Sequence, residues 1–140
     1  MKSFLYKNIF DVSEYKDEGE KLRKTYSLMP QGIEIKYKLN RGKFNLESSV
    51  VPTQVPGSIC IYGNPQYYVM HHKIRQKLEK KLSKRLYPTY YFERVYLNGQ
   101  DLKKHVDRGA CEISVSLHLS SNLEKDWLIY FNHTDRIVSY

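Results

Sequence analysis

Two side chains that could bind a metal ion together, His105 and Asp107, lie two positions apart. In an extended segment, residues i and i+2 point to the same side, so the imidazole and the carboxylate can face one point in space. Such a pair supplies two of the three ligands of a 2-His-1-carboxylate site, the arrangement that binds Fe(II) outside haem. The alternative is a solvated ion pair in a turn, because the pair directly follows the charged segment 101–104.

The spacing of this pair is not specific by itself, since His133 and Asp135 repeat it in a chain with five histidines. The surrounding sequence is more specific. Residues 94–108 resemble the first metal-ligand region of the 2-oxoglutarate/Fe(II) dioxygenases, particularly their prolyl-4-hydroxylase-like branch. The residues that carry the resemblance are Tyr96, Gly99, Leu102, His105 and Asp107. The resemblance extends over roughly residues 56–140.

The resemblance implies a hydroxylase that binds Fe(II) through His105 and Asp107 and uses 2-oxoglutarate as co-substrate. It also implies that Tyr96, nine residues before His105, donates its hydroxyl to 2-oxoglutarate; a core tyrosine is the alternative. Arg108 follows the aspartate directly and is expected to orient it or to bind a carboxylate. Arg94 alternates with Tyr96 and is expected to be structural. The substrate would be a peptidyl residue or a small molecule, and no catalytic residue beyond the metal ligands is expected.

The sequence departs from the family pattern after Asp107. By resemblance, a second histidine and a basic residue that anchors the far carboxylate of 2-oxoglutarate should follow well downstream, but only 33 residues remain. The later histidines, His118 and His133, do not lie in a matching context. We therefore expect an oxygenase domain truncated before its second metal-ligand histidine. It would be a gene fragment, a decayed relative that has become an inactive remnant, or a chain that another copy completes. Its metal site would be incomplete, and its open sheet edge could join two copies into a homo-oligomer.

The composition is typical of one globular domain. The chain has 140 residues and a mean hydropathy of −0.62, and no apolar run approaches the ~20 residues of a membrane span. The N-terminal segment lacks the apolar stretch of a signal peptide, so a cytoplasmic protein without membrane contact is expected. Cys60 and Cys111 are expected to be free thiols, and their spacing offers no zinc site.

The net charge of +8 supports a second hypothesis, a non-catalytic basic module that binds nucleic acid or another polyanion. Seven basic residues against one glutamate lie between Lys73 and Arg85, and four more basic residues lie between Lys36 and Lys43. The alternative is a solvated surface, because a basic helix face often has no partner.

One long helix is predicted at 65–86. Asn64 is a good N-cap, and Pro65 suits the first helical position. Apolar side chains then recur at three- and four-residue spacing, at Tyr67, Met70, Ile74, Leu78, Leu82 and Leu86. This stripe is expected to pack on a sheet, and Pro88 is expected to end the helix.

Strands are predicted where apolar and polar residues alternate or where apolar residues cluster. These segments are 33–39, 58–63, 90–96, 111–119, 127–131 and 136–140. A second helix is predicted at 14–26, turns are predicted at 40–43 and 132–135, and Trp127 is expected in the core.

The expected fold is α+β, with a double-stranded β-helix (jelly-roll) core that is incomplete at the C-terminus. Residues 1–55 are expected to be the N-terminal segment of the same domain. Residues 56–140 are expected to be the first part of the dioxygenase jelly-roll.

Overall fold

The computed structural model describes residues 10–125 and 127–130 with their side chains, and the backbone of 131 and 136–138. Within these residues the fold is α+β, with two α-helices and a mixed four-stranded sheet. In chain order the elements are α1 (Glu18–Thr25), β1 (Ile33–Asn40), β2 (Lys43–Val50), β3 (Ile59–Tyr62), α2 (Tyr68–Leu82), β4 (Phe92–Val95), β5 (Ile129–Phe131) and β6 (Arg136–Val138). Short 3-10 turns at Ser13–Tyr15 and Pro65–Tyr67 precede the two helices.

The four-stranded sheet has the order β2-β1-β3-β4. β1 and β2 form an antiparallel hairpin, β1 and β3 are parallel, and β3 and β4 are antiparallel. The hairpin turns at Arg41 and Gly42, whose φ angles are 49° and 76°. Two positive φ angles are typical of a tight two-residue hairpin loop. The predicted strand at 33–39 and the turn that follows it are therefore confirmed.

The sheet has one apolar face, formed by alternate residues of the two central strands. Four buried isoleucines make up this core, Ile33, Ile35, Ile59 and Ile61. Leu22 and Tyr26, from α1 and the residue after it, pack against them, as does Val95 of β4. Because side chains alternate along a strand, the neighbouring residues of β1, β3 and β4 point to the opposite face.

The helical segment begins at Pro65, as the sequence predicts, but its first turn is a 3-10 turn and α2 itself begins at Tyr68. The Asn64 side-chain oxygen accepts a hydrogen bond from the Gln66 backbone N–H at 3.2 Å, and Pro65 opens the preceding 3-10 turn. The helix ends at Leu82, four residues before the predicted end, because Ser83 adopts a left-handed conformation with φ 50°. The residues after Ser83 are held against the helix by side-chain hydrogen bonds. The Leu86 backbone N–H, for example, donates to the Glu79 carboxylate at 2.9 Å.

The apolar stripe of α2 is confirmed, but its expected packing on the sheet is wrong. Tyr67, Met70, Ile74 and Leu78 are buried in a cluster separate from the isoleucine core. Leu82, at the end of α2 itself, packs against them. The other side chains on this cluster come from outside the helix and from outside the four strands: Phe10, Tyr15, Leu86, Tyr91, Leu117 and Leu119. Amphipathic periodicity indicates that a helix face is buried, but it does not identify what covers that face.

The strand predicted at 111–119 is also wrong. This segment has no regular secondary structure, and Ile113 and Val115 are 44% and 48% exposed. Leu117 and Leu119 are partly buried, as the alternation predicts, because they pack on the α2 cluster. Period-2 patterning produces a strand only where a neighbouring strand offers a hydrogen-bonding edge.

The remaining predicted elements lie close to their expected positions. The 14–26 helix is shorter, beginning at Glu18, and β3 and β4 lie inside the predicted strands 58–63 and 90–96. β5 and β6 pair with each other in a separate two-stranded sheet, and the predicted turn at 132–135 lies outside the described residues.

Both cysteines are free thiols, as expected. No helix in the described ranges is long and apolar enough to cross a membrane.

Candidate functional site

Strand β4 presents two different faces. Tyr91 packs on the α2 cluster and Val95 on the isoleucine core, so the odd-numbered residues point toward the helices. Phe92 and Arg94 therefore lie on the opposite face. Tyr96 continues this row just after the strand. The Arg94 guanidinium carbon lies 5.2 Å from the Phe92 ring centroid and 5.8 Å from the Tyr96 ring centroid, so the three side chains share one surface. We call the surface that carries Phe92, Arg94 and Tyr96 the site face.

Arg94 is the most constrained residue of the site face. Its Nη2 atom donates to the Gln54 side-chain oxygen at 2.9 Å and lies 3.7 Å from the Cys60 sulfur. Its Nε and Nη1 atoms are buried, and within the described part of the chain they have no hydrogen-bond partner. The pKa of Arg94 is raised: burial opposes the charge, but the Tyr96 hydroxyl and the Cys60 sulfur outweigh it. The guanidinium is therefore a fixed cation.

Tyr96, the predicted co-substrate residue, contacts Trp127. The two rings meet edge to face, with centroids 4.4 Å apart and an interplanar angle of 72°. Trp127 is 42% exposed, so the expectation that it belongs to the core is wrong. An indole at this position covers the tyrosine ring on one side while staying in contact with solvent.

Arg108 reaches the same face, and it does not fill the first of its two predicted roles, that of orienting Asp107. Its guanidinium carbon lies 4.6 Å from the Tyr90 ring centroid, and Tyr90 stacks on Phe92 with centroids 6.2 Å apart. A hydrogen bond with the Tyr90 hydroxyl raises the pKa of Arg108. No ion pair joins Arg108 to Asp107, both of which are described. Arg108 thus extends the aromatic and cationic surface and does not hold the aspartate.

His105 and Asp107 lie together in the irregular segment that follows Tyr96. Their Nε2 and Oδ1 atoms are 3.4 Å apart, and each side chain is 40% exposed. His105 Nδ1 lies 2.9 Å from the Lys103 carbonyl oxygen, and Asp107 Oδ2 accepts a hydrogen bond from the Ser114 hydroxyl at 2.5 Å. An Nδ1–H that donates to a carbonyl leaves the Nε2 lone pair available to a metal ion.

The distance between these atoms is close to that of two ligands of one ion. Two metal–ligand bonds of about 2.1 Å at a right angle separate their donor atoms by about 3 Å. The described residues contain no group of three or more histidine, cysteine or acidic side chains that could hold a metal. His118 is exposed and does not join the pair, and His133 lies outside the described residues. The described residues thus offer two donor atoms at ligand spacing, one fewer than the three protein ligands of a 2-His-1-carboxylate site.

Two residues of this region have no signal in the sequence. Gln54 and Ser114 contact Arg94 and Asp107 across turns and loops that no local pattern encodes. The alternation of Arg94 with Tyr96, by contrast, does indicate that both lie on the same face, and the contacts of Arg94 are with other residues of the chain.

Comparison of the chain with protein-family models, with curated proteins and with solved structures finds no match in any of the three.

Proposed function

We propose that this chain carries the first-ligand part of an Fe(II)- and 2-oxoglutarate-dependent oxygenase, in which His105 and Asp107 bind the iron. The observation that carries the proposal is the 3.4 Å approach of His105 Nε2 to Asp107 Oδ1. Both donor atoms belong to half-exposed side chains, so an ion could reach them from solvent. The resemblance of residues 94–108 to the first ligand region of these oxygenases supports the same assignment.

The neighbours of the two ligands support a metal-binding role. Lys103 holds the imidazole through its Nδ1 atom, and Ser114 holds the carboxylate through Oδ2. Outer hydrogen bonds of this kind orient metal ligands and reduce the entropy lost when an ion binds. Each ligand thus keeps one atom, Nε2 or Oδ1, directed at the shared position.

The site face supplies the other groups that the reaction would use. Bound Fe(II) would supply O₂ activation coupled to oxidative decarboxylation of 2-oxoglutarate, and so hydroxylation of a C–H bond. The Tyr96 hydroxyl would donate to a carboxylate oxygen of the co-substrate, and the Trp127 ring beside it would keep water from one side of that contact. The substrate would be a peptidyl residue or a small molecule.

We further propose that the α+β fold is the first part of a jelly-roll. In that arrangement the site face would line the interior, and α1 would cover the outside of the sheet. The position of α1 on the isoleucine face, away from Phe92 and Arg94, supports this orientation.

The test is an anaerobic Fe(II) titration of the chain with and without 2-oxoglutarate, following the weak visible charge-transfer band of the ternary complex. We expect the band in the wild-type chain and its loss in His105→Ala and in Asp107→Ala. Asp101→Ala is the matched control, because Asp101 is an exposed carboxylate of the same segment that pairs with Lys103. A folded wild-type chain without the band, or a band that persists in both ligand variants, would contradict the proposal.

Two further variants address the third ligand. His118→Ala and His133→Ala remove the histidines that follow the pair. A band lost in one of them would identify that histidine as the third protein ligand. A band kept in both would mean that water, the co-substrate or a second chain completes the coordination.

A second candidate function, a polyanion-binding module, is supported by the lysines of α2. Lys73, Lys77 and Lys80 recur on α2 at spacings of four and three residues and are exposed, and the exposed Lys81 and Lys84 add charge at the end of the helix. The first three form one stripe about 10 Å long at 1.5 Å per residue. Such a stripe could follow the backbone of a nucleic-acid strand.

The test of this candidate is salt-dependent binding of a fluorescent single-stranded oligonucleotide. A Lys80/Lys81/Lys84 triple-alanine variant should bind more weakly and with a smaller dependence on salt. A triple-alanine variant at the exposed Lys38, Lys43 and Lys103 removes the same charge elsewhere. Equal losses in the two triple variants would mean that net charge, and not the α2 stripe, drives binding.

A further inference from the structure

Three aromatic rings lie in mutual contact on the site face. Tyr62 of β3 is in register with Phe92 of β4, and their ring centroids are 5.1 Å apart. The Tyr90 ring centroid lies 6.0 Å from that of Tyr62 and 6.2 Å from that of Phe92. We call Tyr62, Tyr90 and Phe92 the ring triad. Because Tyr62 follows the buried Ile61 along β3, the triad lies on the side of the sheet opposite the isoleucine core.

The ring triad is open to solvent. Tyr90 is 37% exposed and Phe92 is 41% exposed, whereas phenylalanine is one of the residues most often fully buried. Further along the same face, the exposed Trp127 ring stands edge-on to Tyr96. The site face therefore offers two aromatic platforms, the ring triad and the pair of Tyr96 and Trp127, with Arg94 between them.

Cations are in contact with both platforms. Lys36 Nζ and the Arg108 guanidinium carbon lie 5.7 Å and 4.6 Å from ring centroids of the triad, and Arg94 lies against both platforms. Lys36 is paired with Glu34 at 3.3 Å, but within the described ranges neither arginine is in an ion pair. The face is therefore positively charged as well as aromatic.

This combination favours one class of ligand. Aromatic rings that are open to solvent stack on the flat faces of nucleic-acid bases, and lysine and arginine bind the phosphates that join them. The base faces are accessible in a single strand but not inside a duplex. An acidic peptide would match the charge, but carboxylates offer no flat face to the rings. Aromatic side chains on a four-stranded sheet are known to stack about two or three RNA bases.

We propose that the site face binds single-stranded nucleic acid, with one base stacked on the ring triad and a second base stacked on Trp127. Lys36 and Arg108 bind the phosphates, and because Arg108 is exposed its guanidinium can turn from the ring to a phosphate. Arg94 adds charge and not a contact, since its Nε and Nη1 atoms are buried. The proposal does not rest on iron binding, and it assigns the strand to a different surface from the lysines of α2.

The experiment measures the fluorescence anisotropy of a labelled oligothymidylate of about ten nucleotides. The chain is kept in a chelator, so that the result is independent of the iron site. Trp127, the single tryptophan of the chain, is followed in a parallel titration with the unlabelled strand. We expect saturable binding together with quenching of the tryptophan fluorescence. A duplex of the same length and polyglutamate should compete more weakly than the unlabelled single strand.

Tyr90→Leu and Phe92→Leu test the stacking. Each variant keeps an apolar side chain but loses the ring, so each should weaken single-strand binding by about fivefold or more. Arg108→Gln tests the phosphate contact. It should weaken binding and reduce the dependence of log Kd on log salt concentration by about 0.7, the value for one phosphate contact of a single strand.

Tyr87→Leu and Arg85→Gln are the matched controls, because they disrupt a similar pair of ring and guanidinium beyond the end of α2. The Arg85 guanidinium carbon lies 5.2 Å from the Tyr87 ring centroid, and both residues are exposed. Both variants should bind the single strand nearly as tightly as the wild type. Equal losses in Tyr87→Leu and Phe92→Leu would overturn the proposal.

Three other results would also overturn it: ring variants that bind like the wild type, binding without tryptophan quenching, and equal competition by the duplex or by polyglutamate. If Phe92→Leu does not fold, Tyr90→Leu and Arg108→Gln decide the question, because both are at exposed positions.

The α2 lysines are tested in the same assay. Loss of single-strand binding in the Lys80/Lys81/Lys84 triple-alanine variant, with unchanged binding in the ring variants, would assign the strand to α2 and overturn the proposal. Weaker binding in the ring variants, with tight binding in the triple variant, would support the site face. Neither result depends on whether the chain shows the iron charge-transfer band.

Discussion

Asn64 joins the start of α2 to Glu93 in the middle of β4. Its side-chain oxygen accepts from the Gln66 N–H, and its side-chain nitrogen donates to the Glu93 carboxylate. Glu93 is 8% exposed and points to the helix side of the sheet. One residue thus connects the α2 cluster to the strand that carries the site face.

Asn64→Ala should be strongly destabilising. The change removes the cap of the 3-10 turn that leads into α2 and one of the donors to the buried Glu93 carboxyl, which together cost about 2–3 kcal/mol of unfolding free energy. Urea unfolding followed by circular dichroism measures the loss. Asn122→Ala, at an exposed loop position, should change stability little; similar losses in the two variants would show that Asn64 has no special role.

Glu93 should make the stability of the protein depend on pH. Burial raises the pKa of its carboxyl, and the nearby Glu18 adds to the shift, although the Asn64 bond partly offsets it. The folded chain therefore holds this proton to a higher pH than the unfolded chain does. The protonated Glu93 side chain therefore stabilises the folded chain. This stabilisation is fully present below the pKa that Glu93 has in the unfolded chain, and it is lost as the pH rises through the raised pKa of the folded chain.

Glu93→Gln keeps a neutral hydrogen-bonding side chain and should remove this part of the pH dependence. Urea unfolding between about pH 4 and pH 8, where carboxyl groups titrate, should show a smaller decline in the variant than in the wild type. Glu124→Gln, at an exposed position, serves as the control. Identical slopes for the wild type and Glu93→Gln would contradict the assignment.

Ser114→Ala tests the support of the candidate iron ligand. The change removes the hydroxyl that donates to Asp107 at 2.5 Å. Loss of such an outer hydrogen bond typically weakens metal binding by about 10- to 100-fold, so the Fe(II) titration should shift to higher concentrations. Ser116→Ala, two residues along the same exposed segment, should leave the titration unchanged. An unshifted titration in Ser114→Ala would mean that Asp107 is positioned without it.

Ser83→Gly should stabilise the protein. Ser83 ends α2 with φ 50°, a conformation that costs a residue with a Cβ atom about 1 kcal/mol and that glycine adopts freely. We expect a gain of roughly 0.5–1 kcal/mol in the free energy of unfolding, measured in urea. Ser116→Gly, in a segment without regular structure, should give no gain; a loss at Ser83 would mean that its side chain matters more than its backbone.

Local features of the fold could be predicted from the sequence because their causes are local. The β1–β2 turn depends on Arg41 and Gly42 themselves, and the start of α2 depends on Asn64 and the proline after it. The early end of α2 could not be predicted, since it depends on Glu79 binding the backbone of Leu86 across a left-handed residue.

Features that depend on contacts between distant residues could not be predicted from the sequence. Alternation at 111–119 predicts a strand, but no pattern shows whether a neighbouring strand will be present. The contact of Gln54 with Arg94 joins residues 40 positions apart. The approach of His105 to Asp107, by contrast, follows from their spacing.

The parallel pairing of β1 with β3 has a consequence for how the chain assembles. The β1–β2 hairpin closes through two residues, whereas β3 pairs with β1 only after the chain has passed through residues 41–58. Contacts between nearby residues form before those that require a long loop to close. We therefore expect the hairpin to fold first. β3 then pairs with the exposed edge of β1, and β4, which carries Arg94, pairs with β3 last.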